Sequence, residues 1–181
     1  RLCWGGFTDG AVPSSTEAVN AVETAIRVSG ADLVYTHCAR DTHQDHRATS
    51  LASLAATRHV SRVLCYESPT TIGFSPSLYV NVAGLVEAKL DLVRCHISQV
   101  LKNGIVDLEA IEAQARFRGF NSRARFAEGF EVVRFLLDPM RAGPNGASAG
   151  TTETTETTGS IEESGWAVSR NASNMDLELE A

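Results

Sequence analysis

Ala31-Asp32-Leu33-Val34-Tyr35-Thr36-His37-Cys38-Ala39-Arg40-Asp41-Thr42-His43-Gln44-Asp45-His46 passes from a short apolar run into a loop crowded with ionisable side chains. Leu33-Val34-Tyr35 has the β-branched and aromatic character of a buried strand. Arg47 to Arg58 is then alanine-rich, with Leu51, Leu54 and Ala55 on one helical face, so a helix is expected there. Strand, loop and helix in this order belong to an open α/β sheet, where chemistry collects outside the carboxyl ends of strands. Three of the chain's five histidines, with two aspartates, stand within the ten positions from His37 to His46. A metal and acid–base work are therefore expected in this loop.

Outward from the loop the same alternation continues. Ser14-Ser15-Thr16-Glu17 reads as a capping box pairing Ser14 with Glu17, Ala18 to Ile26 supplies an apolar helical face, and Gly30 stops the helix. Arg62 to Tyr66 is the next strand and Leu78 to Val82 is extended. Gly84 to Leu101 is expected as a long amphipathic helix and Asp107 to Arg118 as a helix capped by Asp107. Phe130 to Leu137 is expected as a closing edge strand or a short helix. Short joins between such elements imply a Rossmann-like parallel sheet with flanking helices. Arg1 to Phe7 reads as the end of a strand already under way, so an N-terminal segment, with the first strand or strands, is expected to be missing.

Composition bounds the function. The 181 residues carry a formal charge of -6, of which -5 lies in Pro139–Ala181, leaving -1 for residues 1–138. A near-neutral body without a basic stripe argues against nucleic acid. No apolar run is long enough for a membrane span and no signal peptide opens the chain. Cys3, Cys38, Cys65 and Cys95 form no CxxC pair and read as reduced thiols of a cytoplasmic protein. Residues 1–138 are expected as one domain. Residues 139–181, with Thr151-Thr152-Glu153-Thr154-Thr155-Glu156-Thr157-Thr158, are expected as a disordered acidic tail, too poor in apolar area to offset its ordering entropy.

Within the loop, His43 and His46 stand three positions apart at the start of a helix. Neutral imidazole suits zinc, and a catalytic zinc takes about three protein ligands and one open position. A histidine beside the metal could donate to an oxyanion, and Asp45 could orient an imidazole. Spacing alone fits equally a polar surface loop whose histidines cap the helix. His37 and Cys38 could ligate metal, but packing at a strand end accounts for them as well.

Asp41-Thr42-His43-Gln44-Asp45-His46-Arg47-Ala48 resembles the Asp-x-His-Pro-Asp-His-Arg-Ala signature of the LmbE/PIG-L family of zinc-dependent N-deacetylases, with Gln44 at the usual proline. Phe7-Thr8-Asp9-Gly10, Tyr66-Glu67-Ser68-Pro69, Phe74-Ser75-Pro76, His96-Ile97-Ser98-Gln99, Arg118-Gly119 and Ala127-Glu128-Gly129-Phe130 are similar to further elements of that family, in its order, over about residues 2–137. The resemblance implies His46 as a zinc ligand, His43 as oxyanion stabiliser and proton donor to the leaving amine, and Asp45 as the residue orienting His43. It implies Asp9 and His96 on the substrate side. The family's first signature, Ala-His-Pro-Asp-Asp-Glu, which supplies two zinc ligands and the general base, is absent from these residues. Tight zinc binding by this chain alone is therefore not expected.

Two functions follow as expectations. The intact protein would use zinc to hydrolyse an N-acyl, in particular N-acetyl, amide on a GlcNAc-type sugar conjugate or another small-molecule amide. The alternative is a non-catalytic fragment or degenerate relative acting as a binding or regulatory domain. A serine hydrolase is disfavoured because no Gly-x-Ser-x-Gly elbow occurs.

Overall fold

The computed structural model describes residues 2–96, 100 and 106–138. Residues 97–99, 101–105 and the segment 139–181 lie outside the described residues. With them go the rest of the His-Ile-Ser-Gln element and the expected acidic tail. Trp4–Leu137 forms one compact unit; Leu2, Cys3 and Asp138 belong to another.

The elements run α1 (Thr16–Ser29), β1 (Leu33–His37), α2 (Gln44–Ala56), β2 (Arg62–Tyr66), β3 (Leu78–Asn81), α3 (Val86–Arg94), α4 (Leu108–Ser122) and β4 (Ala127–Phe135). The four strands make one sheet in the order β1-β2-β4-β3. β1 and β2 are parallel, from Leu33 opposite Arg62 to His37 opposite Tyr66. β4 runs antiparallel to both β2 and β3. The sheet is α/β with a parallel pair flanked by helices, and its other half is antiparallel. β4 lies inside the sheet, so the expected closing edge strand is a central one: it covers the β2 flank that β3 would otherwise occupy. Leu2–Phe7 carries no regular structure, in place of the expected strand end.

Local chemistry explains most boundaries. Gly30, at φ 65°, ends α1 by donating to the Ile26 carbonyl at 2.9 Å. α1 begins one residue later than the capping box predicts: Ser15 is the N-cap, and its side chain makes no capping bond. Asp107 caps α4, accepting from the Glu109 amide at 2.9 Å. α3 is shorter than the pattern from Gly84 suggests, starting at Val86 after the Leu85–Val82 turn.

α2 differs instructively from its pattern. It buries Ala48, Ser50, Ala52, Ser53 and Ala56, while Leu51 is 55% exposed. Small residues face inward because α1 packs closely against this helix and β1 against its base, and the leucine is turned to solvent. Val63, Leu64, Ala127 and Phe130 fill the sheet's interior. Val86, Leu90, Ala115 and Phe126 pack as a cluster between α3, α4 and the start of β4. Gly119 allows that packing: a Cβ there would meet the Arg125 and Phe126 backbone at 2.8 Å.

Candidate active site: a histidine column at the sheet's carboxyl edge

His37 ends β1, and the chain then loops to the start of α2, which carries His46 in its first turn. The His37 and His46 rings stack with centroids 4.0 Å apart and planes 13° off parallel; His43 stacks on the other side of His46 at 4.6 Å. Three imidazoles thus form one column, with His46 in the middle.

Each ring is held differently. His43 is the N-cap of α2, and its Nδ1 accepts the Asp45 backbone N–H at 3.2 Å. A neutral His43 therefore carries its proton on Nε2 and presents a donor. His37 bonds the Tyr66 hydroxyl through Nε2 at 2.9 Å, because parallel pairing sets these two residues side by side. Its Nδ1 is buried without a hydrogen-bond partner. Burial, and next the neighbouring His46, hold the His37 imidazole down at about 4. Burial also pushes the Tyr66 phenol up to about 12.

His46 Nδ1 lies 3.1 Å from Asp41 Oδ2 and 3.4 Å from the Thr70 hydroxyl. The Asp41 side chain is wholly buried. Its Oδ2 also accepts from Ser68 and from Thr71, and Oδ1 accepts the His43 amide at 2.9 Å. Burial alone would raise this carboxyl, but the Ser68–Thr71 turn, the His43 amide and His46 outweigh it and hold the group far below the usual carboxylate range.

Asp45 is buried, and its carboxylate bonds the backbone of a neighbouring turn. Oδ2 accepts the Gly10 amide at 2.6 Å and Oδ1 the Val12 amide at 3.1 Å. It reaches His43 only through its own backbone N–H. Through the Gly10 and Val12 amides Asp45 clamps the Thr8–Val12 turn to the histidine loop. Asp9, in that turn, is exposed and is drawn towards the loop by its neighbour Gly10. His96 is exposed beyond α3, in a groove with Val82, Leu85 and Glu128, and among the described residues no hydrogen bond or ring contact joins it to the imidazole column.

His37, Asp41 and His46 each offer a ligand atom within 4.8 Å of the other two, so this group could hold a metal ion. The donor chemistry, two imidazoles and a carboxylate, suits zinc. Sequence reasoning singled out His46 and missed Asp41; the only signal was its place at the head of the Asp-x-His motif. Orientation narrows the choice among the three. Imidazole lone pairs lie in the ring plane, so two rings stacked 4.0 Å apart and nearly parallel cannot both aim at a point about 2 Å away. Asp41 Oδ2 is filled by three donors. His46 Nε2 makes no hydrogen bond among the described residues and stands as the oriented donor. Cys38 and Cys65 are buried and their thiols are pushed up, that of Cys65 to about 11, so neither is an activated nucleophile.

No family model matches the chain, and no curated protein matches it. Solved structures similar to it include the following three. One is a conserved protein of Thermus thermophilus, at 25% identity and TM-score 0.63, covering 74% of this chain and 65% of that one. The fold is shared.

The second is the 4-carboxy-2-hydroxymuconate hydratase of Pseudomonas putida, at 16% identity and TM-score 0.56, covering 72% of this chain and 64% of that one. The third is the N,N'-diacetylchitobiose deacetylase of Pyrococcus horikoshii, solved with an inhibitor, at 21% identity and TM-score 0.56, covering 70% of this chain and 55% of that one. The chain spans less than two thirds of the length of each. A hydratase and a deacetylase on one fold leave the chemistry to be argued from the site. No helix among the described residues is long and apolar enough to cross a membrane.

Proposed function

We propose that the intact protein is a metal-dependent N-deacylase that releases acetate from an N-acetylated amino-sugar conjugate. The observation that carries this reading is the pairing of His43 and His46. One ring is held as an Nε2–H donor, and the other, 4.6 Å away, has its Nδ1 engaged and its Nε2 free. Metal-assisted amide hydrolysis can use one as oxyanion donor and the other as metal ligand. Similarity to a chitobiose deacetylase supports the reading.

His46 would hold the metal, with His37 and Asp41 the neighbouring ligand-type side chains. Zinc bound there would polarise the acyl carbonyl and acidify water. His43 Nε2–H donates to the oxyanion as the carbonyl carbon becomes tetrahedral, and the proton that a general base takes from the attacking water would be the one delivered to the leaving amine. Asp45 holds the turn that carries Asp9, whose carboxylate accepts from sugar hydroxyls. His96 would face the far side of a longer substrate.

The test is amine release by the zinc-loaded intact protein from N-acetylglucosamine conjugates and from simple N-acetyl amines, followed with an amine-reactive dye. Turnover of the sugar conjugates is expected. Zinc uptake without any amine release would overturn the reading in favour of a non-catalytic binding domain.

A further inference from the structure

The filled carboxylate of Asp41 has a consequence for His46. A carboxylate offers about four lone-pair positions on its two oxygens. Here Oδ1 takes the His43 amide at 2.9 Å, while Oδ2 takes the Ser68 hydroxyl, the Thr71 hydroxyl at 3.2 Å and His46 Nδ1 at 3.1 Å. The group is wholly buried. Ser68 and Thr71 are themselves fixed by a closed turn: Ser68 N–H donates to the Thr71 hydroxyl at 2.9 Å and Thr71 N–H to the Ser68 carbonyl at 3.0 Å. The turn is joined to the histidine loop by the Asp41–Thr71 bridge, with Thr42 N–H on the Thr70 carbonyl at 3.0 Å.

An acceptor that is saturated and fixed decides the tautomer of the ring facing it. We propose that Asp41 is the positioning residue of the site: it holds His46 with its proton on Nδ1 and its ring turned so that Nε2 is the metal-binding nitrogen. Asp41 itself stays off the metal. This rests on the reading of His46 as a ligand, and it adds which nitrogen is used and why. Metal-binding histidines commonly donate their second N–H to a carboxylate, and losing that partner costs about 10–100-fold in metal affinity. The Ser68–Thr71 turn, about 25 residues away in sequence from the ring, thereby becomes part of the site.

Long-range proton–nitrogen NMR of the imidazole rings in the intact protein reads the tautomer without metal. His46 is expected with Nδ1 protonated and Nε2 bare, and titration with zinc alone should shift Nε2 while the Nδ1 proton persists. Asp41→Asn is expected to populate the Nε2–H tautomer and to weaken zinc binding about 10–100-fold. Ser68→Ala keeps the carboxylate, removes one of its donors, and should shift both readouts in the same direction by less, which covers the case where Asp41→Asn does not fold. An Nε2–H tautomer in the wild type, loss of the Nδ1 proton on adding zinc, or an unchanged tautomer and affinity in both folded variants would each overturn the proposal. An intact protein with the expected tautomer that takes up no zinc keeps the Asp41–His46 pairing and overturns the metal-dependent reading above.

Discussion

The two halves of the sheet treat their polar groups in opposite ways. In the β2–β4–β3 half the four charged side chains lining the cavity, Glu67, Lys89, Arg118 and Glu128, are paired with one another. Arg118 grips Glu67 with two bonds, at 2.9 and 2.7 Å, and Lys89 bonds Glu128 at 2.6 Å. The cavity between them, about 130 Å³, is well below the roughly 300 Å³ at which ligand pockets begin. In the β1–β2 half, at the carboxyl ends of the parallel strands, the buried His37 Nδ1 and the Nε2 of His46 have no hydrogen-bond partner among the described residues. Saturated groups hold the architecture together. Unfinished ones are where a ligand can gain something, and they lie where an open α/β sheet places chemistry.

The comparison is broken most severely at its reactive end. His46→Ala in the intact protein should abolish amine release and strip zinc, as read by metal analysis of the purified variant. His43→Ala should keep zinc and lose about 10²–10³ in kcat, the scale for removing one oxyanion donor. Full zinc occupancy in His46→Ala would remove the ligand assignment.

In the architectural half the loss should be of stability and not of chemistry. Glu67→Ala leaves the Arg118 guanidinium, 13% exposed, without its partner. A fully buried pair broken this way costs about 3–5 kcal/mol, and the residual exposure here makes the cost smaller. Gly119→Ala forces a Cβ onto the Arg125–Phe126 backbone and should cost about 1–3 kcal/mol. Denaturant melts measure both, and activity per folded molecule should hold. A variant that melts like the wild type yet loses activity would erase the distinction between the halves.

Acidification separates the halves more gently. The folded His37 imidazole sits at about 4 against an ordinary value of 6.5. The unfolded chain therefore binds a proton in this window that the folded one refuses, and stability falls as pH drops from about 6.5 towards 4. The lowered Asp41 carboxyl acts at lower pH and in the same direction, its contribution being lost as pH falls below the ordinary carboxylate value. Thermal melts in chelator should show the first loss, and His37→Gln should flatten it. The smallest effect is expected on the outer face of α2, where Leu51→Gln should change stability by no more than about 0.5 kcal/mol.

The strand–loop–helix unit around His37–His46 was legible because period and turn chemistry are local signals, and Gly30 and Asp107 mark their helix ends for the same reason. The position of β4 was not, because nothing within Ala127–Phe135 says that it will insert between β2 and β3. Leu51 misled because an apolar residue on a helical face is assumed to point inward, whereas this helix needs small side chains to approach its neighbours. At the site, His43 and His46 announced themselves by spacing. Asp41 did not, since its role depends on Ser68 and Thr71, which arrive from the next strand's loop. His37 read as strand-end packing, and its partnership with Tyr66 appears only once parallel register sets them opposite one another.

The bridge between Asp41 and Thr71 gives the site a reporter of its own. Thr42 N–H is held by the Thr70 carbonyl, and Ile72 N–H by the Arg40 carbonyl at 2.7 Å, in two stretches that otherwise have the look of ordinary surface loops. Those two amides should exchange with deuterium slowly, in step with the sheet, for as long as the loops stay docked. Their protection would report the integrity of the histidine column with no substrate, no metal and no assay.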